Sequence, residues 1–270
     1  FWGWDFSGAS HLHEIHLRLK AAGMIRRKKW QVLDQLPSLA RHVIPLPLSD
    51  DSKYKEAEAD FLKWLRQDHP QKARRAAKAL ALTKSTYLKR LAAQLKMPAI
   101  LEWIETILEE EGKLAVFGVH TDILLAILKA WKGQAVLING SVRDRDRQAA
   151  VHRFGHDPKC RLMVGNIKAA GTGLDGLQRS CSVEAFVELG WTPAEHGQVE
   201  GRLHRIGQKG KVKAYYLVGK GSIEERICAL LQEKQGAAEE VMDGRKGAVG
   251  KRLDLFDKLM KQMAKNGDGK

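Results

Sequence analysis

The sequence predicts an α/β protein: a parallel sheet flanked by helices, with a helical region ahead of the sheet and a helical brace after it. Three observations carry this. From residue 113 to about 220, five short apolar runs alternate with stretches of helical periodicity, the pattern of strand-helix-strand units. Before residue 113 the apolar residues recur at helical spacing, with no strand alternation between them. Hydrophobic residues make up 44% of the 270, enough for an ordinary core, which excludes wholesale disorder and fibrous classes.

Taken in order, the chain divides at 1–48, 49–112, 113–240 and 241–270. Tyr54, Ala57, Phe61 and Trp64 or Leu65 make one amphipathic stripe, and Pro98 opens a later helix carrying Ile100, Ile104 and Leu108. Between them, no Asp or Glu occurs from His69 to Leu101, whereas Lys72, Arg74, Arg75, Lys78, Lys84, Lys89, Arg90 and Lys96 are basic. Leu80, Tyr87, Leu91 and Leu95 fall at helical spacing there, so one face is expected to pack and the others to present cations. That segment reads either as a solvated basic helix or as one that tracks phosphates. The strands are expected at Leu114 to Val119, Ala135 to Ile138, Leu162 to Val164, Val183 to Leu189 and Ala214 to Val218. The helices between them run over Asp122 to Trp131, Arg143 to Phe154 and Ala194 to His204. A helix from Ser222 to Lys234 follows, then a Gly-rich break and a basic amphipathic helix with Leu253, Phe256 and Leu259.

Charge narrows the partner class. With 46 Lys+Arg against 32 Asp+Glu the net charge is +14, which favours a polyanion such as nucleic acid. No stretch approaches the roughly 18 consecutive apolar residues of a membrane span. Three dispersed cysteines, Cys160, Cys181 and Cys228, exclude a disulfide scaffold and a cysteine-rich zinc site, and imply a reducing, intracellular compartment. The chain opens on Phe1-Trp2-Gly3-Trp4-Asp5, which is no signal peptide, and a piece of a longer chain is the expectation.

In a parallel sheet, functional loops gather at the carboxyl ends of the strands. After the third expected strand comes Gly165-Asn166-Ile167-Lys168-Ala169-Ala170-Gly171-Thr172-Gly173-Leu174-Asp175-Gly176, whose small residues let main-chain N–H groups approach a phosphate. After the fourth come Trp191-Thr192-Pro193 and then Gln198 to Gln208. On a helix, Gln198, Arg202 and Arg205 lie four and three apart on one face. Two guanidiniums aimed at one spot repel unless an anion sits between them, and a triphosphate is the natural candidate.

Trp191-Thr192-Pro193 with Gln198, Gly201-Arg202-Leu203-His204-Arg205-Ile206-Gly207-Gln208 resembles the last helicase motif of the Swi/Snf family of superfamily 2 DNA-dependent ATPases. Lys168 to Asp175 is similar to the motif before it. Met24 to Lys29 with Val32-Leu33 and Leu36-Pro37, Val116-Phe117 with His120, and Asn139-Gly140-Ser141 match further blocks in the family's order. Phe186 to Trp191 and Tyr216 to Gly221 look most like the annealing-helicase branch. The chain departs from the family at Ala170, where Gly is usual, and at Asp175, where Asn is usual.

The resemblance implies a RecA-like second motor lobe. Residues 1–48 would be the interlobe linker with its Arg-Arg-x-Lys block, 49–112 a helical insertion, 113–240 the lobe, and 241–270 a basic tail. It implies Arg202 and Arg205 as catalytic arginines, and Gln198, Gly173 and Asp175 as nucleotide contacts. His120, Ser141, Lys168, Thr172 and Trp191 become DNA contacts. Plainer alternatives exist: Arg202 and Arg205 as basic residues on a surface helix, Asp175 as a helix cap, Trp191 as core packing, and His120, Ser141 and Thr172 as turn chemistry. The chain has no G-x-x-x-x-G-K-[ST] loop and no Walker-type Asp-Glu pair, so ATP and Mg would be bound mainly by a first lobe, and this chain alone is expected to be inactive. The partners implied are that first lobe and double-stranded DNA read without sequence preference. No protein metal site is expected. The compartment would be the nucleus in a eukaryote and the cytoplasm otherwise. Rival readings are a non-catalytic nucleic-acid-binding module and a lobe of a strand-separating helicase.

Overall fold

The computed structural model describes residues 11–25, 27, 33, 35–65, 74–170 and 175–232. Within them lies one six-stranded, all-parallel sheet of order β1-β6-β5-β2-β4-β3. The strands are β1 (Leu39–Leu46), β2 (Leu114–Gly118), β3 (Ala135–Ile138), β4 (Leu162–Asn166), β5 (Val183–Phe186) and β6 (Val212–Gly219). The helices are α1 (Leu12–Ala21), α2 (Asp51–Leu65), α3 (Arg74–Leu95), α4 (Met97–Glu111), α5 (Thr121–Ala130), α6 (Asp144–His156), α7 (Ile167–Ala170), α8 (Pro193–Leu203) and α9, described over 223–232.

The central strands are apolar because helices cover both faces of a parallel sheet. Every residue of β2 and β5 is buried, and the Phe117 and Phe186 rings meet at a tilt across the β2/β5 pairing with centroids 5.9 Å apart. A first core surrounds these strands. A second core joins α2 and α3 to β6 and α9 through Tyr54, Phe61, Leu88, Leu91, Val218, Ile223 and Ile227. The Tyr54 hydroxyl, wholly buried, accepts from Ile223 N at 2.8 Å. α4 starts as expected, with Pro98 in its first turn, and ends on Gly112, whose φ of 75° suits glycine.

Three expectations are corrected. Residues 1–112 are not all helical: Leu39–Leu46 forms β1, in register with β6 from Leu39↔Val212 to Leu46↔Gly219. The segment assigned to the linker therefore completes the sheet. As an edge strand it needs only one partner and tolerates Pro45, so its half-exposed Arg41-His42-Val43 run shows neither continuous apolarity nor alternation.

The packing face of α3 is also rotated from its expected position. Leu91 and Leu95 are buried, but Leu80 and Tyr87 are 44% and 57% exposed, and the inward stripe is Ala81, Ser85, Leu88, Ala92 and Leu95. Small alanines let α3 approach closely, and Leu-only periodicity overlooks them. Finally, two of the cations expected on the solvent faces are inside. Lys89 and Lys96 are 1% and 0% exposed. The Lys96 ammonium donates to Leu217 O at 2.6 Å and pairs with Glu224 Oε2 at 2.5 Å. Lys72 and the basic tail after 241 lie outside the described residues, as do Arg26, Lys28 and Lys29.

Candidate functional site

Because all strands run the same way, the loops after β2, β3, β4 and β5 share one edge of the sheet. They carry His120, Ser141, Lys168 and Trp191, so the structure brings these four expected DNA contacts to a common side; Thr172 lies outside the described residues. Asn139 Oδ1 accepts from Ser141 N at 3.1 Å and from its hydroxyl at 2.7 Å, shaping the turn after β3. Asn166 shapes the next one, donating to Val119 O at 2.8 Å and accepting from Lys168 N at 3.0 Å, which leaves the Lys168 side chain in solvent.

The buried carboxylate of Glu188 fixes the loop after β2. Its Oε2 accepts from Val119 N and His120 N, both at 2.8 Å, and its Oε1 is hydrogen-bonded to His120 Nδ1. Sequence reading quoted Glu188 only within a matched block; the signal was an acidic residue, with Glu184, inside a mostly apolar run at the end of a strand. Glu188→Ala should strip two main-chain donors and lower stability by about 3 kcal/mol, read as the urea midpoint; an unchanged midpoint would show that water replaces the carboxylate.

The loop after β5 is held just as tightly. Thr192 caps α8 in a reciprocal capping box with Glu195, whose Oε2 also accepts from Trp191 N at 2.9 Å. His196 accepts from Gly190 N through Nε2 at 3.1 Å and faces Thr192 O through Nδ1 at 3.0 Å. Burial pushes its pKa below the ordinary value, so it stays neutral at pH 7 in this clamp. The Trp191 ring is half-buried against the second core, which is the packing alternative for this residue.

α8 then runs back across the sheet to the opposite, amino-terminal edge. His204 Nε2 lies 2.7 Å from Pro37 O, just before β1, and Gln208 Nε2 donates to Cys181 O at 2.9 Å, just before β5. Arg202 stands in the last turn of α8. Arg205 does not extend that helical face as expected: α8 ends at Leu203, His204 leaves helical geometry with ψ 74°, and Gly207 turns the chain with φ 95°. Arg205 instead pairs with Asp175, Nη1 to Oδ1, at 3.0 Å. Asp175 also accepts from Gly176 N at 3.0 Å but caps no helix. Gln198 is exposed on α8, and Gly173 lies outside the described residues.

Leu36 to Leu39 and Arg41, with Gly197, Glu200 and Gly201 of α8, bound a cleft of about 590 Å³. Its wall is a network that sequence reading missed. Glu200, 2% exposed, receives both arms of Arg41 at 2.6 Å and the Tyr216 hydroxyl at 2.7 Å. The carboxylate raises the Arg41 pKa further, and burial with Glu200 beside it raises that of Tyr216. The expected functional residues thus form two groups on opposite edges, joined by α8, rather than one cluster at the carboxyl ends.

Residues 96–207 match the helicase conserved C-terminal domain. The chain is 35% identical over 251 residues to the mouse DNA annealing helicase and endonuclease ZRANB3, covering 90% of this chain and 22% of that protein. It is 35% identical over 238 residues to the Xenopus laevis SWI/SNF-related matrix-associated actin-dependent regulator of chromatin subfamily A-like protein 1, covering 86% and 24%. Residues 96–207 thus belong to the helicase C-terminal domain family, and over 86–90% of its length the chain is similar to these Swi/Snf-type relatives. It spans less than a quarter of the length of these two relatives. The fold agrees with Swi/Snf lobes of known structure. The C-terminal part of the Fun30 ATPase domain superposes with a TM-score of 0.61 at 16% identity, over 86% of this chain and 99% of that one. The Sulfolobus solfataricus SWI2/SNF2 ATPase core in complex with dsDNA gives 0.58 at 20%, over 84% and 52%. This RecA-like architecture is the one expected from the sequence.

Proposed function

We propose that this chain is the second motor lobe of an ATP-driven translocase on double-stranded DNA, offering arginines to the nucleotide from one edge of its sheet and holding DNA phosphates with the other. The observation that supports this reading is the path of α8. The helix begins beside Trp191, among the contact candidates for DNA, and ends beside Arg202 and Arg205. Eleven residues at 1.5 Å each make a rigid strut of about 16 Å, so movement at the nucleotide edge is passed to the DNA edge.

The amino-edge donor set fits an anion. It comprises two guanidiniums and one exposed carboxylate, and no group of three His, Cys, Asp or Glu suited to a metal occurs among the described residues. Bound Mg-ATP supplies the γ-phosphoryl that passes to water. In this chain, Asp175 pairs with Arg205 until a phosphate competes for the guanidinium, and Arg202 would approach from the helix end. Both then neutralise charge gathering on the phosphoryl oxygens. On the DNA side, Ser141, Lys168 and the main-chain amides of the loops suit phosphate oxygens better than base edges, so the grip carries no sequence preference. No helix among the described residues is long and apolar enough to cross a membrane.

Two measurements on the chain as it stands test this reading. It should turn over no ATP; turnover that follows the purified chain and vanishes with Arg205→Ala would overturn the lobe assignment. Duplexes of equal length and different sequence should bind alike, with affinity falling by a log–log salt slope of about −0.9 per phosphate contacted. A hundredfold preference among sequences with little salt dependence would favour a sequence-reading binding module instead.

A further inference from the structure

Lys89 lies on α3, in the helical layer outside the sheet, yet it reaches the loop after β5. Its ammonium is 1% exposed, donates to Leu189 O at 2.6 Å, and stands 4.4 Å from the centroid of the Trp191 ring. A buried ammonium is costly unless its charge is answered. Here the answer is a carbonyl dipole, an indole face and the neighbouring carboxylates: Glu188 after β5, Glu195 on α8 and Glu224 on α9. Lys96 and the imidazole of His196 face it with the opposite influence. The amides of the same loop are held by His196 and Glu195, whereas its Leu189 carbonyl and its indole are held by Lys89. An apolar side chain would fill the space but would bind neither.

We propose that Lys89 is a positioning residue for Trp191, latching the indole and the Leu189 carbonyl to α3 so that the helical layer and the DNA-facing loop move as one piece. The inference rests on the reading of Trp191 as a DNA contact only for its consequence in DNA binding. Burial, the largest influence, pushes the Lys89 pKa down to about 8. The folded pKa is thus below the ordinary 10.5, and the unfolded chain binds more protons between the two values. Stability therefore rises with pH across that window, while the cation that faces the indole is lost.

The test uses the full 270-residue chain labelled with 5-fluorotryptophan, the Trp191 signal being assigned among seven tryptophans by Trp191→Phe. In the unaltered chain that signal should titrate with a midpoint near 8, on the alkaline side of the His196 transition. Lys89→Met, which keeps length and apolar contact, should shift the signal and abolish the titration while the other tryptophan signals stay in place. Lys89→Arg should return it toward its original position without that midpoint. A Trp191 signal that keeps its unaltered position in Lys89→Met overturns the proposal; if that variant fails to fold, Lys89→Gln, which removes the cation but keeps a polar side chain, is read in the same way. In DNA binding, Trp191→Ala should weaken duplex affinity about tenfold and Lys89→Met about threefold. A loss with Trp191→Ala that Lys89→Met does not share overturns the latch. If Trp191→Ala costs no affinity, it is the DNA reading of Trp191 that fails, and the fluorine signal still decides the role of Lys89.

Discussion

Replacing Arg205 by alanine in the protein that carries both motor lobes should lower ATP turnover by about 10³-fold or more while leaving duplex affinity nearly unchanged. The expectation follows from the separation of the two edges. Arg205 stands at the far end of α8 from Trp191, with 40% of its side chain exposed and paired with the exposed Asp175. Its removal therefore disturbs neither the core nor the loops that carry Ser141 and Lys168. Arg202→Ala should give a loss of the same order, because the two guanidiniums act on one developing charge. Asp175→Asn provides the control for stability. A solvent-screened pair of this kind contributes about 0–1 kcal/mol, so the melting temperature should barely move, and any change in turnover reports the holding of Arg205. Steady-state ATPase assays with saturating duplex, run beside binding isotherms, separate the two effects. If neither arginine variant changes turnover, these residues are not transition-state groups and the nucleotide edge has been misplaced.

Glu224→Ala should cost about 3–5 kcal/mol of stability, the range for stripping one partner from a buried ion pair. Glu224 and Lys96 are both 0% exposed, and Glu224 Oε2 also accepts from Gly219 N at 2.8 Å, so the truncation orphans a charge and a main-chain donor together. Against a typical domain stability of about 5–15 kcal/mol, that is enough to unfold a large fraction of the chain near body temperature. The double replacement Lys96→Met with Glu224→Leu removes both charges and should recover most of the loss. Urea denaturation of both singles and the double gives the coupling between the two sites directly. A Glu224→Ala chain with an unaltered urea midpoint would mean that water reaches Lys96, and that the pair does not tie the helical layer to β6.

How much of this was legible beforehand depended on the reach of each signal. The apolar runs at β2 to β6 and the helical periods between them announced a parallel sheet, because residues covered on both faces must be apolar whatever their neighbours. The motif from Trp191 to Gln208 was legible because its residue types and spacing are local. His204, which the motif carries between the two arginines, lies 2.7 Å from Pro37 O, a contact 167 positions away that no local spacing announces. β1 was not legible, since an edge strand is paired on one side and exposed on the other, and nothing in Leu39 to Leu46 compels it to be a strand until β6 lies beside it. Arg205 was placed on the helical face of Arg202 by spacing alone, but the turn made by His204 and Gly207 moved it onto Asp175.

By itself, then, the sequence determined the fold class and the likeness to helicase C-terminal domains, and nominated candidate site residues, since these depend on local periodicity and on motifs a few residues long. Only the tertiary structure decided which cations face water and which are structural, that one acidic side chain holds the His120 loop, and that the two arginines and the residues expected to contact DNA lie at opposite edges. The physical reason is that a charged side chain carries no local mark of burial. Lys89 and Lys168 look alike in the chain, and what separates them is whether distant segments supply a carbonyl, an indole and carboxylates within reach. Leu189 O lies 100 positions from Lys89 in sequence and 2.6 Å away in space.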